Sequence, residues 1–301
     1  MSGPFARRFW AYLQERYPLA QFVPFHLLLV AAVGGVVRAR LGVEGSAAHL
    51  VAHGALAALL LLFFFVLRAM DEHKDHAADL VAYPERVLSR GLVTLGHLRR
   101  AGWAAAAGMV VLALPFGGPM VAGVGMLLGY ALLMLREFGV GPWLRARLVL
   151  YGLSHNAVVL LALLVVALGF GLAAGAGADV LSDPAVWTAA LGLNGFVLSL
   201  EIARKVRLPE DERDGVDTYS RGLGVRRAAL LVPALQAASL AALLPLPLGA
   251  GRWAVLAVAV LGVAVVVLRF VRRPTARGAE RLVGPAAGGA LLAFAALATL
   301  T

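Results

Sequence analysis

Two short stretches of the chain concentrate most of the side chains capable of chemistry. The first reads Asp71-Glu72-His73-Lys74-Asp75-His76-Ala77-Ala78-Asp79 and, with Glu85, lies in the connection from Arg68 to Arg100. The second, Glu201 to Arg227, carries Glu201, Glu210, Asp211, Glu212, Asp214 and Asp217. Together they hold 11 of the 17 carboxylates. Asp71, Asp75 and Asp79 are spaced i, i+4, i+8, which aligns them on one face of any helix that runs through them. Three like charges on one face repel, and beside a hydrocarbon boundary the repulsion is less screened than in water. A hard divalent cation relieves it: Mg²⁺ takes one or two carboxylates, several waters and substrate phosphate. The plainer alternative is a solvated acidic face with local partners such as Lys74 and Arg86.

Basic residues accompany the acids: Lys74, Arg86, Arg90, Arg136, Arg145, Arg147, Arg204, Lys205 and Arg221. Carboxylate-held Mg²⁺ with Arg or Lys is a recurring means of holding a diphosphate and stabilising its departure. Ser89-Arg90-Gly91-Leu92 recurs as Ser220-Arg221-Gly222-Leu223, each followed by a basic pair and Ala, as in a parallel duplication. Glu201 and Lys205 also have the spacing of a plain i, i+4 ion pair.

The elements that position these loops are legible in the composition. Of 301 residues, 61% are hydrophobic and 15% charged, against about 25% charged in soluble domains, and the mean hydropathy is +0.84. Such a chain is a polytopic membrane protein; a disordered chain, a disulfide scaffold and a nucleic-acid-binding domain are excluded, and there is no cysteine. A membrane-spanning helix needs about 20 apolar residues. Nine runs fit: 19–37, 46–67, 101–117, 119–135, 148–176, 184–203, 228–248, 253–271 and 282–300. Residues 1–18 are expected to hold a short cytoplasmic interfacial helix, with Phe5, Phe9, Trp10 and Leu13 at helical spacing. On this reading the whole chain, 1–301, is a single all-α domain, with its helices around a central cavity and the acidic loops at 68–100 and 201–227.

Of the 27 Lys and Arg residues, all but Arg38, Arg40 and Arg252 fall on one side of this topology. Basic residues mark the cytoplasmic side, so the N-terminus and both acidic loops are expected in the cytoplasm and the C-terminus outside. The net charge of +10 is then largely topological, and the expected membrane is the cell's inner or plasma membrane. A diphosphate site opening onto hydrophobic helices calls for a substrate with an apolar remainder, that is, a prenyl diphosphate.

These features resemble the UbiA superfamily of intramembrane prenyltransferases, nine-helix proteins with aspartate-rich cytoplasmic loops after helices two and six. The family's Asn-Asp-x-x-Asp-x-x-x-Asp stands here as Asp71-Glu72-x-x-Asp75-x-x-x-Asp79. Pro84 to Gly91 loosely matches the element that follows it, and Arg16-Tyr17-Pro18 echoes an Arg-Pro element before the first helix. Two departures stand out. Glu72 is one methylene longer than the family's Asp, and Lys205 stands where a second acid of the second motif is expected.

The resemblance implies prenyl transfer from a prenyl diphosphate to a small or membrane-associated acceptor, with pyrophosphate released. It implies two Mg²⁺ ions, held by Asp71, Glu72, Asp75 and Asp79 and by Glu201 with Asp211 or Asp214. Asp75, Asp79 and Glu201 would be the central catalytic acids. Lys74, Arg86, Arg136, Arg145, Lys205 and Arg221 would bind diphosphate, and Asn194 and His155 are candidates for the acceptor pocket. A terpene cyclase on the same scaffold and a membrane transporter are the competing readings.

Overall fold

The computed structural model describes residues 4–44, 47–213, 216 and 218–300. These residues form helices and short 3-10 turns, with no strand among them. In chain order the helices are α1 (Phe5–Arg16), α2 (Leu19–Leu41), α3 (Ala47–Lys74), α4 (His76–Ala82), α5 (Leu95–Ala113), α6 (Gly118–Leu135) and α7 (Gly141–Arg145). They continue as α8 (Leu148–Ala173), α9 (Pro184–Arg204), α10 (Tyr219–Leu223), α11 (Val225–Leu243), α12 (Gly249–Arg272), α13 (Ala276–Glu280) and α14 (Val283–Ala298).

Seven stretches among the described residues are long and apolar enough to cross a membrane: Leu19–Leu41, His49–Lys74, Gly118–Leu135, Leu150–Ala173, Pro184–Arg204, Gly249–Arg272 and Ala276–Ala298. The other two expected runs occur as α5 and α11, each of 19 residues. Basic pairs, Arg99-Arg100 and Arg226-Arg227, fall within their first two turns and lower their hydropathy. A count of nine spans therefore stays an expectation.

The chain divides into two compact units. The first comprises Met1–Leu27, Val51–Tyr151 and Arg213–Val216; the second comprises Leu28–Leu50, Gly152–Glu212 and Asp217–Thr301.

In the first unit, the expected N-terminal helix is present as α1. Its Tyr12 is wholly buried among Val87, Leu88, Val93 and Leu98, with Phe9 and Leu13 packed alongside. Phe5 and Trp10 stay exposed. Pro18 disfavours helical geometry at the residue before it, and Tyr17 turns out of the helix at φ −147° to bond the Leu61 carbonyl at 2.6 Å. α3 has 28 residues, about 42 Å at the usual rise, longer than a hydrocarbon core of about 30 Å. Its last turn carries Asp71 to Lys74. Between the runs 101–117 and 119–135 the chain turns with Gly117 at φ +89° and Pro119 in the first turn of α6.

The core of the second unit is built on α9, α11, α12 and α14, where Ile202, Ala203, Val232, Val267, Phe270 and Ala286 are buried together. Glycine sets two of its close approaches. A Cβ on Gly35 would run into the Leu297 carbonyl and the Ala298 backbone, and one on Gly192 would lie 2.6 Å from Leu243. Gln236 on α11 crosses to Ser199 of α9 at 3.1 Å and to the Ala286 carbonyl of α14 at 3.0 Å. Gly125 and Gly129 have open space at the Cβ position, whereas a Cβ on Gly171 would lie 2.5 Å from Val180, and Gly175 serves a turn at φ +77°.

Candidate functional site

The first acidic stretch does not run on as one uninterrupted helix. It breaks at Asp75, whose φ −95°, ψ 1° separates α3 from α4. The hydrogen-bond ladder nevertheless continues, from Asp75 N–H to Asp71 O at 2.8 Å and from Asp79 N–H to Asp75 O at 2.9 Å. Four side chains of the first unit then interlock. Arg16 Nε lies 2.6 Å from Glu72 Oε1, Arg16 Nη2 is 3.7 Å from Asp79 Oδ2, and Arg86 Nη1 is 2.6 Å from the same Asp79 oxygen. Glu72 is only 2% exposed. Burial pulls the Arg16 guanidinium down, but its contact with Glu72 outweighs this and holds it above its ordinary value. Asp71 and Asp75 are exposed, and Asp71 Oδ2 lies 3.9 Å from Arg68.

The loop after α4 is closed over by arginine. Tyr83 has the Arg86 guanidinium 3.4 Å from its ring centroid and that of Arg213 at 4.3 Å, the cation–π arrangement expected of Arg on an aromatic face. Arg213 also donates to the Ala82 carbonyl and lies 3.9 Å from Glu85. In this way one residue of the second acidic stretch belongs structurally with the first.

A second cluster in this unit forms around an acid outside both stretches. Glu137, 6% exposed, follows α6 with φ +48°, and Phe138 has φ +55°. Two consecutive non-glycine residues in the left-handed region cost about 1–3 kcal/mol each and persist only where the surroundings enforce them. Here they carry the Glu137 carboxylate between Lys74 Nζ, at 2.8 Å, and Arg145 Nη1, which donates to Oε2. Lys74 also donates to the Tyr151 hydroxyl at 2.7 Å. Burial pushes Glu137 up, yet Lys74 and Arg145 together hold its carboxyl below the usual range. Sequence reasoning found Lys74 and Arg145 but missed Glu137. Its only signal is a lone acid between Arg136 and Arg145 in an otherwise basic connection. Arg136 itself is exposed.

In the second unit Glu201 lies 3.0 Å from Lys205 and 3.7 Å from Arg204, so the plain i, i+4 pair is present. Glu212 accepts from the Thr218 hydroxyl at 2.6 Å and lies 3.9 Å from Arg221. Thr218 in turn caps α10 by accepting from Arg221 N–H at 3.1 Å. Asp211 is exposed in a 3-10 turn, and Asp214 lies outside the described residues. Asn194 is half-buried on α9, and His155, on α8, has Nδ1 3.3 Å from the Ser154 hydroxyl. The two Ser-Arg-Gly-Leu copies diverge, since Gly91 sits in a turn at φ +68° while Ser220 to Leu223 are helical.

Among the described residues no three acidic or histidine side chains converge on one point. Arginine engages Glu72 and Asp79, and Glu201 is paired with Lys205 and Arg204. The first unit assembles two cation–carboxylate clusters, both involving residues in the last turn of α3.

Long apolar helices and short polar connections define the class: this is an integral membrane protein of all-helical, polytopic fold. The sequence matches no family model and no curated protein. Its fold is similar to a solved structure concerned with digeranylgeranylglyceryl phosphate synthase in membranes. The likeness covers 97% of this chain and 99% of that one, with a TM-score of 0.60 and 15% sequence identity. The resemblance expected from the loops thus holds as one of fold.

Proposed function

We propose that this protein transfers a prenyl group from a prenyl diphosphate to a small or membrane-associated acceptor, releasing pyrophosphate. The observation that carries the reading is the fold likeness to a digeranylgeranylglyceryl phosphate synthase structure over 97% of this chain and 99% of that one. Clustered Lys and Arg beside a span end support it, because cations in a partly desolvated site stabilise a departing diphosphate. In this reading Lys74, Arg86, Arg136, Arg145, Lys205 and Arg221 take the diphosphate. As its C–O bond breaks, the developing negative charge falls on these cations. The allylic cation left behind is protected from water by apolar helices, and an acceptor, with Asn194 and His155 beside it, supplies the new bond.

Two Mg²⁺ ions belong to the proposal on the strength of the resemblance alone, with Asp71, Glu72, Asp75, Asp79, Glu201, Asp211 and Asp214 as their ligands. The sidedness is likewise proposed: N-terminus and acidic loops cytoplasmic, C-terminus outside, from the distribution of Lys and Arg.

The test is pyrophosphate release by purified protein in lipid, given prenyl diphosphates of several lengths, with and without Mg²⁺ and a membrane-lipid extract. Asp75→Asn and Asp79→Asn run beside the wild type. Release that requires the extract and disappears in both variants supports transfer, and the labelled lipid identifies the acceptor. Release without any acceptor favours a terpene cyclase. No release from folded protein with Mg²⁺ present puts a transporter first.

A further inference from the structure

Glu137 is an unusual residue to find in a basic connection. It is buried, carries the left-handed backbone of itself and Phe138, and touches two cations that sequence alone had marked for diphosphate. A surface counter-charge for Lys74 and Arg145 would require none of this. After its bonds to Glu137 Oε1 and Tyr151, Lys74 keeps one N–H donor, and Arg145, 52% exposed along its side chain, keeps Nε and Nη2.

We infer that Glu137 is a positioning residue: it fixes Lys74 and Arg145 as a preorganised pair whose remaining donors grip the diphosphate of the donor substrate. The inference rests on the prenyl-diphosphate reading above. Charge and geometry predict opposite results when the carboxylate is lost. Removing a negative charge beside two cations strengthens anion binding if Glu137 is only a counter-charge. If Glu137 sets the geometry, the two cations repel, Arg145 is released to solvent and binding weakens.

A second variant separates the two effects without altering any charge. A Cβ on Gly141 would overlap Glu137 Oε2 and lie 3.3 Å from its Cδ. Gly141→Ala therefore pushes the carboxylate off the cations and leaves the net charge as it was.

The experiment uses full-length protein in lipid and two readouts: calorimetric binding of inorganic pyrophosphate, and KM and kcat for pyrophosphate release from a prenyl diphosphate. Glu137→Gln and Gly141→Ala are both expected to weaken pyrophosphate binding and raise KM by about tenfold, the scale of one charge-assisted hydrogen bond. Because the charge that develops on the departing diphosphate falls on the same cations, kcat is expected to fall as well. Tighter or unchanged pyrophosphate binding in the folded variants overturns the inference. If Glu137→Gln does not fold, Gly141→Ala decides alone, and unfolding of both with native-like pyrophosphate binding in Glu137→Asp also overturns it. Weakened pyrophosphate binding in the variants, with no prenyl diphosphate cleaved by the wild type, keeps Glu137 as an anion-site residue and overturns the prenyl-transfer reading instead.

Discussion

Arg16, the last residue of α1, lies 2.6 Å from the carboxylate of Glu72, which is 2% exposed in the last turn of α3. The helix ahead of the first span is thereby tied to the first acidic stretch by a charge pair largely withdrawn from water. Such pairs add little over an apolar match, but removing one partner strands the other.

Arg16→Met is therefore expected to destabilise the protein by about 3 kcal/mol, the lower end of the range for a broken buried pair, because Arg16 itself is 19% exposed. The double variant Arg16→Met/Glu72→Gln should recover most of that loss. Chemical denaturation in detergent reads both. Equal stability of the single and double variants would remove the argument.

Glu137 provides a pH signature. Its carboxyl is held below its ordinary 4.5 in the fold, so its contribution is complete above that value and fades as pH falls through the depressed one. The stability gap between wild type and Glu137→Gln should be widest near neutrality and close as the carboxylate protonates in acid. A gap that widens on acidification would contradict the assignment.

Gly35 and Gly54 should respond to alanine with opposite signs. A Cβ at Gly35 meets backbone of α14, which cannot swing aside, whereas Gly54 has nothing within 4 Å. Gly35→Ala is expected to lose about 1–3 kcal/mol through overpacking, and Gly54→Ala to gain about 0.5–1 kcal/mol. Thermal unfolding of the two in the same detergent is the comparison.

Asp183 caps the start of α9 and does two jobs. It accepts from Ala185 N–H at 2.8 Å and pairs with Arg40 at 2.6 Å. Burial pushes its carboxyl up, but Arg40 and the Ala185 amide together hold it below its ordinary value. Arg40 is nearly half exposed, and exposed pairs contribute about 0–1 kcal/mol, so the cap should dominate. Asp183→Asn keeps the cap and is expected to cost about 0.5 kcal/mol; Asp183→Ala removes it at about 1–2 kcal/mol. Equal losses would mean that the ion pair carries the effect.

Helices and their turns were legible because hydropathy and proline act locally. The start of α9 at Pro184, the break at Gly117-Gly118-Pro119 and the short helix α1 all follow from neighbouring residues. The candidate site was legible only in part. Arg16 was visible as an Arg-Tyr-Pro element, but its hold on Glu72 spans 56 positions and depends on packing around Tyr12. Asp71, Asp75 and Asp79 read as one face, and a break at Asp75 intervenes. Glu137 escaped because its reach comes from two left-handed residues, a backbone state its own side chain does not encode. Gly125 and Gly129 have the four-residue spacing of a packing face, yet among the described residues nothing lies within 4 Å of a Cβ at either.

The interleaving of the two units also sets a timetable for synthesis. Leu28–Leu50 belongs with residues that begin at Gly152, and Arg213 joins a unit otherwise finished at Tyr151. At about 5–20 residues per second, the end of α2 and the start of α3 wait roughly 5–20 s for the first of their partners to emerge. The Tyr83 ring waits longer still for its second arginine. Neither unit can close as the chain leaves the ribosome in order. Each holds unfinished surface while the other is being made, and a nascent chain halted between Tyr151 and Arg213 would leave both incomplete.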